Sequence, residues 1–274
     1  TTVSKTSMTI TYPTTTGTFT ASCSGGASPT VSSNATGTAT VSISSGTATV
    51  TWKAAGSATI TVSCAATTNY NASSKTVAVT IAKGANPISL SASSGTITYP
   101  NSGTFTVSGA QGTLSVSSGT TSVATASVSG TTVTMTSVKP GSSTITVTAA
   151  GNSYYLSGSK TYALTVSKGA NPITLSASSG SINYNGTGTF TVSGAAGTLS
   201  VSSASTTIAT VSLSNTTVTM TGKQAGSTTI TVTAAGNDYY NSGSKNYSLT
   251  VNKIAGATTV SKTSMTITYP TTTG

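Results

Sequence analysis

Residues 141–168 read GSSTITVTAAGNSYYLSGSKTYALTVSK, and the first half of this stretch places an apolar side chain at every second position. Ile145, Val147 and Ala149 alternate with threonines, so all three point to one face of an extended chain. Period-two alternation of this kind is typical of a strand that is buried on one side. The stretch therefore predicts a strand, a turn of Gly, Asn and Ser residues, and a second strand.

The same alternation recurs in TATVTW (47–52), SATITVSC (57–64), TTVTMT (131–136) and STTITVTAA (227–235). No stretch shows the 3.6-residue period of an amphipathic helix. Ser, Thr and Gly dominate the composition, but the regular spacing of the apolar residues argues against a disordered chain. We expect an all-β protein with essentially no helix.

Three copies of a unit of about 85 residues account for most of the chain. Lys83, Lys168 and Lys253 lie 85 residues apart, and each closes a predicted strand. The second and third units open with KGANPISLSASSG and KGANPITLSASSG, where Gly and Pro indicate a turn between neighbouring units. The predicted division is 1–83, 84–168 and 169–253, with 254–274 as the start of a further repeat.

The second unit shows the predicted strand pattern most clearly. Its strands are expected near 88–92, 96–99, 103–108, 113–117, 123–128, 131–137, 143–149 and 160–167, with some of these as halves of one split strand. About seven short strands in a unit of this length fit a two-sheet immunoglobulin-like sandwich. The predicted fold is therefore three tandem immunoglobulin-like β-sandwich domains plus the first strand of a fourth.

The closing halves of the three units, at 56–83, 141–168 and 226–253, resemble bacterial immunoglobulin-like repeats. In that family a G-x-x-x-I-T-V strand leads through an N-x-x-Y turn to a final V/L-T-V strand. The resemblance implies a tandem array on a cell-surface or secreted protein, similar to the stalks of the intimin and invasin adhesins. It implies no activity, because domains of this kind usually serve as spacers.

Two cysteines occur in the first unit, at inward-facing strand positions. Cys23 aligns with Gly109 and Gly194, and Cys64 aligns with Ala149 and Ala234, so a cysteine pair stands where the other units have small residues. The two side chains are expected to meet across the core, either as a disulfide, which we favour, or as two buried free thiols. A disulfide would place the protein in an oxidising compartment, outside the cell or at its surface.

The composition offers little for catalysis or for ligand binding. The chain has no His, one acidic residue (Asp238, in a turn) and eleven basic residues, all lysines, with a net charge of +10. We expect no catalytic residues, no cofactor and no metal site, because such chemistry draws on His, Asp, Glu and Cys. Nucleic-acid binding is not expected, because the lysines are dispersed and arginine is absent. No apolar run approaches the ~20 residues that a membrane span requires, so no direct membrane insertion is expected.

Several conspicuous residues are predicted to have structural roles. Trp52 is expected to plug a strand end of the first unit, with an exposed sugar contact as the alternative. Core or sandwich-end packing is expected for the recurring aromatic residues and the methionines, namely Phe19, Phe105, Phe190, Tyr12, Tyr99, Tyr184, Met8, Met135, Met220 and Met265. Sequons that permit glycosylation occur at Asn34, Asn71, Asn185, Asn215 and Asn246.

The segment TTVSKTSMTITYPTTTG at 258–274 repeats residues 1–17 without a change. This identity predicts that the chain is a window of a longer tandem polymer. Val260, Met265 and Ile267 would then belong to a fourth sandwich, or to a strand that pairs with an open sheet edge of another copy.

Two functions remain open at this stage. The first is a structural stalk or extracellular fibre whose partners are other copies of the same chain. The second is an adhesin that binds a surface carbohydrate or a host protein through loops of the first unit.

Overall fold

The computed structural model describes residues 1–256, 259, 264–266 and 268–270. The chain divides into two compact units, Thr1–Ser167 and Lys168–Gly274. The first unit holds two β-sandwiches and the second unit holds one. Within the described residues there is no α-helix, and one short 3-10 turn occurs at Ser24–Gly26. The expectation of an essentially helix-free protein is confirmed.

Each sandwich consists of eight strands. The first contains β1 (Thr2–Val3), β2 (Ser7–Thr11), β3 (Thr16–Ser22), β4 (Thr30–Ser33), β5 (Ala39–Ser44), β6 (Thr47–Trp52), β7 (Gly56–Cys64) and β8 (Ser73–Ala82). The second contains β9 (Ser89–Leu90), β10 (Ser94–Thr98), β11 (Ser102–Ser108), β12 (Leu114–Ser118), β13 (Ala124–Ser129), β14 (Thr132–Ser137), β15 (Gly141–Ala149) and β16 (Gly158–Ser167). The third contains β17 (Thr174–Leu175), β18 (Ser179–Asn183), β19 (Thr187–Ser193), β20 (Leu199–Ser203), β21 (Ala209–Ser214), β22 (Thr217–Gly222), β23 (Gly226–Ala234) and β24 (Gly243–Asn252).

All three sandwiches have the same arrangement of strands in their two sheets. In the first sandwich one sheet runs β1-β3-β6-β5 and the other runs β2-β8-β7-β4. The opening segment of the chain is split, because β1 pairs antiparallel with β3 and β2 then crosses to pair parallel with β8. The second and third sandwiches repeat this arrangement. This is an immunoglobulin-like topology, and the predicted fold of tandem immunoglobulin-like sandwiches is confirmed. The repeat boundaries at 83/84 and 168/169 stay predictions.

Inward-facing residues of the two sheets form one hydrophobic core in each sandwich. Phe19, Phe105 and Phe190 are buried at corresponding positions, as their recurrence predicted. Phe105 stacks on Tyr162 with ring centroids 4.4 Å apart, and Phe190 stacks on Tyr247 at the same distance. Offset ring pairs of this kind stabilise a core beyond the burial of their area.

Large and small side chains occupy different strands in the cores of the first and the second sandwich. The Tyr162 hydroxyl occupies the space where a Cβ of Gly95 would lie, so a small residue on β10 accommodates a large one on β16. The corresponding residues of the first sandwich are Met8 on β2 and Val77 on β8, and Met8 packs against the core there. The bulk therefore moves from one strand to its neighbour between the two sandwiches, which keeps both interiors filled.

The segment after β24 was predicted to hold the first strand of a fourth sandwich, and this stays a prediction. No strand is assigned to the described residues after Asn252. Met265 lies outside any strand and is 76% exposed, so its prediction as a core residue is wrong. A single opening strand has no second sheet against which to bury an apolar side chain. Val260 and Ile267 lie outside the described residues.

The exchange of bulk between β10 and β16 can be tested with a double-mutant cycle in the second sandwich. We expect Tyr162→Val to cost about 2–5 kcal/mol through the cavity it leaves. Gly95→Met is expected to cost about 1–3 kcal/mol through overpacking. The double variant recreates the pair of the first sandwich. Its loss of unfolding free energy is expected to be smaller than the sum of the two single-variant losses by roughly 0.5–3 kcal/mol.

Native-state hydrogen exchange of the β15 and β16 amides measures this cycle in the intact chain. Thr104→Ala, on the exposed face of β11, is the control and is expected to stay within about 0.5 kcal/mol of the parent. Strictly additive effects of the two substitutions would show that the residues do not share one packing site.

Candidate functional site at the junction of the first two sandwiches

Four aromatic rings meet where the first sandwich ends and the second begins. Tyr12 follows β2 and Trp52 ends β6, whereas Tyr154 and Tyr155 belong to the loop between β15 and β16. The Trp52 ring stacks on Tyr154 with centroids 5.1 Å apart. Tyr12 lies 5.1 Å from Tyr154 and 4.9 Å from Tyr155 in an edge-to-face contact. We call these four residues the aromatic junction.

The turn that presents Tyr154 and Tyr155 is held by a single side chain. The Oδ1 of Asn152 accepts hydrogen bonds from the backbone N–H groups of Tyr154 and Tyr155, at 2.8 and 3.0 Å. Asn commonly stabilises a turn by accepting from its own backbone two or three residues further on. This turn is the physical reason for the N-x-x-Y pattern in the sequence.

The linker adds backbone hydrogen bonds to the aromatic contacts. The N–H of Gly84 donates to the carbonyl of Tyr154 at 2.9 Å, and the N–H of Leu156 donates to the carbonyl of Gly84 at 2.8 Å. The Nζ of Lys83 donates to the carbonyl of Asn152 at 2.7 Å. Gly84 is required here because a Cβ would collide with the carbonyl of Tyr12. Within the linker, Gly84 forms an isolated parallel β-bridge with Tyr155 of this loop.

The ionisation of Tyr155 reflects this environment. Partial burial raises the pKa of Tyr155 above its ordinary value, and the nearby Tyr12, to which it is hydrogen-bonded, raises it further. Because the folded pKa exceeds the unfolded one, the neutral hydroxyl stabilises the junction below the ordinary tyrosine pKa. That contribution is lost as the pH rises through the raised pKa.

A linker asparagine ties together two loops of the second sandwich. The Nδ2 of Asn86 donates to the carbonyls of Gln111 and Leu156, at 2.8 and 3.1 Å, and its Oδ1 accepts from the N–H of Gln111 at 3.0 Å. Gln111 lies between β11 and β12, and Leu156 lies between β15 and β16. One amide therefore connects both loops at the end of the sandwich that faces the linker.

The second unit of the chain repeats this arrangement. Asn171 donates to the carbonyls of Ala196 and Asn241 and accepts from the N–H of Ala196. Lys168 donates from Nζ to the carbonyl of Asn237 at 2.6 Å, and the N–H of Gly169 donates to the carbonyl of Tyr239 at 2.9 Å. The linker contacts with the following sandwich therefore belong to the repeat itself.

The first sandwich has a disulfide in place of this asparagine tie. Cys23 and Cys64 are bonded, with their Cα atoms 5.7 Å apart, so the favoured alternative of the cysteine prediction is what the structure has. Cys23 follows β3 and Cys64 ends β7, so the bond connects the same two ends that Asn86 connects in the second sandwich.

The two kinds of tie exclude each other sterically. A Cβ on Gly109, which corresponds to Cys23, would collide with the carbonyl of Pro87 in the linker. A cysteine at position 109 would therefore clash with the Asn-Pro linker that passes over it in the second sandwich.

The structure contradicts one alternative for Trp52. The side chain is only 7% exposed, so it offers no platform for a sugar. It does plug a strand end, but it is covered by Tyr154 of the second sandwich and not by its own domain alone. Its indole N–H has no hydrogen-bond partner among the described residues.

The other predicted site residues lie apart from the junction. All five sequon asparagines are exposed: Asn34, Asn71, Asn185, Asn215 and Asn246. Asn185 and Asn215 have φ values of 56° and 52°, the left-handed region in which Asn is common at turns. Glycosylation at these positions stays a prediction. Asp238 is exposed in the loop between β23 and β24, in the turn where it was expected.

The described part of the chain contains no group of three or more His, Cys, Asp or Glu residues that could hold a metal ion. A helix of the length and hydropathy needed to cross a bilayer is likewise not found in the described residues.

Sequence reasoning did not identify Tyr154, Gly84, Asn86 or Asn171 as site residues. A usable signal was present, because GANP precedes the two units without cysteines, at 84–87 and 169–172.

Comparison with known proteins gives likenesses of fold only. No protein-family model and no curated protein matches the sequence. The chain is similar to a three-domain immunoglobulin fragment of titin, in an E-to-A mutated variant, at 12% identity over 92% of this chain and 96% of that chain, with a TM-score of 0.34. It is similar to domains 1–6 of the surface layer protein SbsC at 16% identity over 93% of this chain and 40% of that chain, with a TM-score of 0.32.

A third likeness is to an endo-fucoidan hydrolase of glycoside hydrolase family 107, at 13% identity. It covers 83% of this chain and 39% of that chain, with a TM-score of 0.25. All three TM-scores are below 0.5, so the fold of the present chain is established by its own strand pairing.

The disulfide is expected to stabilise the first sandwich selectively. It closes a loop of 41 residues, for which the chain-entropy relation gives about 4 kcal/mol. Reduction should lower one unfolding transition and leave the transitions of the other two sandwiches unchanged. Differential scanning calorimetry with and without reductant measures this, and intact mass after alkylation counts the thiols. Two alkylated thiols in the unreduced protein would contradict the prediction.

Asn86→Ala is expected to destabilise the loops of the second sandwich by about 1–3 kcal/mol, because it leaves partly buried backbone groups without their partner. Native-state hydrogen exchange of residues 109–113 and 150–157 measures the effect. Asn69→Ala, an exposed asparagine of the first sandwich, is the matched control and should leave both segments unchanged. Equal exchange in the two variants would show that Asn86 is not a tie.

Proposed function

We propose that this chain is a non-catalytic structural stalk or extracellular fibre built from tandem immunoglobulin-like repeats. The observation that carries the proposal is the aromatic junction with its linker hydrogen bonds. Tyr12 and Trp52 of one sandwich contact Tyr154 and Tyr155 of the next, and Gly84 forms a parallel β-bridge with Tyr155. Contacts on both sides of a short linker restrict bending between neighbouring domains, and a stalk requires that restriction.

Repetition of the linker contacts supports the same function. Lys168, Gly169 and Asn171 bind the loop of the third sandwich as Lys83, Gly84 and Asn86 bind the loop of the second. The same linker contacts recur before the second and the third sandwich, as expected if they connect the domains of a tandem array. A ligand site, in contrast, is usually formed once, by convergent polar groups in a pocket.

The proposed location is the cell surface or the extracellular space. The Cys23–Cys64 disulfide supports it, because such bonds persist in oxidising compartments. The resemblance of the closing halves of the units to bacterial immunoglobulin-like repeats supports it independently. The proposed partners are other copies of the same chain, in agreement with the identity of 258–274 to 1–17.

The alternative function, an adhesin, depended in part on an exposed tryptophan that could contact a carbohydrate. Trp52 was the candidate platform, and it is buried in the aromatic junction. We therefore keep binding of carbohydrate or of a host protein outside the proposal.

Residual dipolar couplings measured on the full chain test the stiffness of the junction. One alignment tensor is expected to fit the amides of both the first and the second sandwich. Gly84→Val and Tyr154→Ala should each separate this fit into two tensors, because they remove the close approach of the linker and the stacking on Trp52. Tyr184→Ala, in the third sandwich, is the control and should preserve the single tensor. Two unrelated tensors in the parent chain would overturn the proposed stiff junction.

A further inference from the structure

The opening and closing strands of the first sandwich are neighbours in one sheet. β2 pairs parallel with β8, from Ser7 opposite Ala78 to Thr11 opposite Ala82. Because the two strands are parallel, the chain enters this pair at one end of the sandwich and leaves it at the other. Tension on the two ends of the sandwich therefore shears β2 against β8, and these strands carry the load.

The disulfide divides the first sandwich into an outer and an inner part. The outer strands are β1, β2, β3 and β8, which lie before Cys23 or after Cys64. The inner part, residues 24–63, contains β4, β5, β6 and all of β7 except its last residue, and we call it the bridged segment. Because both ends of this segment are joined through the cysteines, tension passes through the S–S bond and bypasses the segment.

The bridged segment holds a large part of the first core. Val50 and Ile60 are buried in that core, and Trp52, whose ring stacks on Tyr154, belongs to the same segment. Its strands also pair with one another, β4 with β7 in one sheet and β5 with β6 in the other. Release of the outer strands therefore leaves the inner strands with partners inside the bridged segment.

The second and third sandwiches have no covalent bond of this kind. Glycine and alanine stand at the two cysteine positions, namely Gly109 and Ala149 in the second sandwich and Gly194 and Ala234 in the third. Their end loops are connected by hydrogen bonds from linker side-chain amides, which break when the loops are pulled apart. Under tension these two sandwiches are therefore expected to extend along their whole length.

We propose that the Cys23–Cys64 disulfide limits the extension of the first sandwich, so that tension releases its outer strands and never extends the bridged segment. The cysteines are 41 residues apart in sequence, and their Cα atoms are held 5.7 Å apart. Since an extended chain spans about 3.3–3.6 Å per residue, the bond shortens the extended first sandwich by about 130–140 Å. This inference rests on the proposed stalk function, for which it names the domain that limits lengthening under tension.

The bond also affects what happens when the tension falls. β3 and β7 stay joined at their ends by the disulfide, so the loop between them does not have to be closed again during refolding. Closing such a loop costs conformational entropy in a chain without the bond. The first sandwich can therefore yield under tension and recover by the return of its outer strands alone.

Force spectroscopy of single molecules tests the limit on extension. The full chain is held by peptide tags at its two ends, so that no thiol chemistry is used for attachment. The unreduced chain is expected to give three unfolding steps, of which one is shorter than the other two. The two longer steps, from the second and third sandwiches, are the internal references for length.

Two ways of removing the bond provide the matched comparison. Cys23→Gly combined with Cys64→Ala introduces the residues that the second sandwich has at these positions. Dithiothreitol converts the bond of the parent chain into two thiols, while its own two thiols form a disulfide. Each change is expected to lengthen the short step by about 130–140 Å and to leave the other two steps unchanged.

Two further measurements keep the comparison sound. Ser28→Ala changes an exposed residue inside the bridged segment and is expected to leave all three steps unchanged. Hydrogen exchange of β5 and β6 checks that the doubly substituted chain is folded before it is pulled. If that chain does not fold, the parent chain with and without dithiothreitol decides the question.

Three outcomes would overturn the inference. Three equal steps in the unreduced chain would show that the bridged segment extends with the rest. A short step that loss of the bond does not lengthen would assign the limit to another contact. A first sandwich that gives no step before the tether breaks would show that its outer strands do not release. In each case a single alignment tensor for the first two sandwiches would still support the stalk, so the two proposals fail separately.

Discussion

Burial of every second side chain between two sheets is the interaction on which the rest of this structure depends. The described residues contain no group of three or more His, Cys, Asp or Glu residues that could hold a metal ion, and the cores consist of aliphatic and aromatic residues at alternating strand positions. Each buried aliphatic or aromatic side chain contributes about 1.5–3 kcal/mol relative to exposure. The outer faces can then consist almost entirely of Ser and Thr without loss of the fold.

The loops at the end of each sandwich are connected to each other by a specific contact. Two kinds of contact occur at this position in the chain. Asn86 and Asn171 connect two loops through a side-chain amide, whereas Cys23 and Cys64 connect the equivalent strand ends covalently. The amide tie comes from the linker and therefore couples a sandwich to the domain before it. The disulfide lies within the sandwich and stabilises it independently of what precedes it.

The two ties differ in which residues complete the end of a sandwich. A sandwich held by a linker asparagine has its end loops completed by the preceding linker, as in the second and third sandwiches. A sandwich held by a disulfide has the corresponding strand ends joined by its own residues, Cys23 and Cys64. The aromatic junction adds the packed rings of Tyr12 and Trp52 to the backbone hydrogen bonds where the first sandwich meets the second.

The sequence by itself determined the strands, the repeats, the immunoglobulin-like sandwich and the cysteine pair. These features follow from alternation and spacing, which are local properties of the chain. Tertiary structure alone decided that Trp52 is covered by Tyr154, that Asn86 ties two loops, and that Met8 and Val77 replace Gly95 and Tyr162. The physical reason is that each of these contacts joins residues far apart in sequence, and only the pairing of strands and the meeting of sandwich ends brings them together.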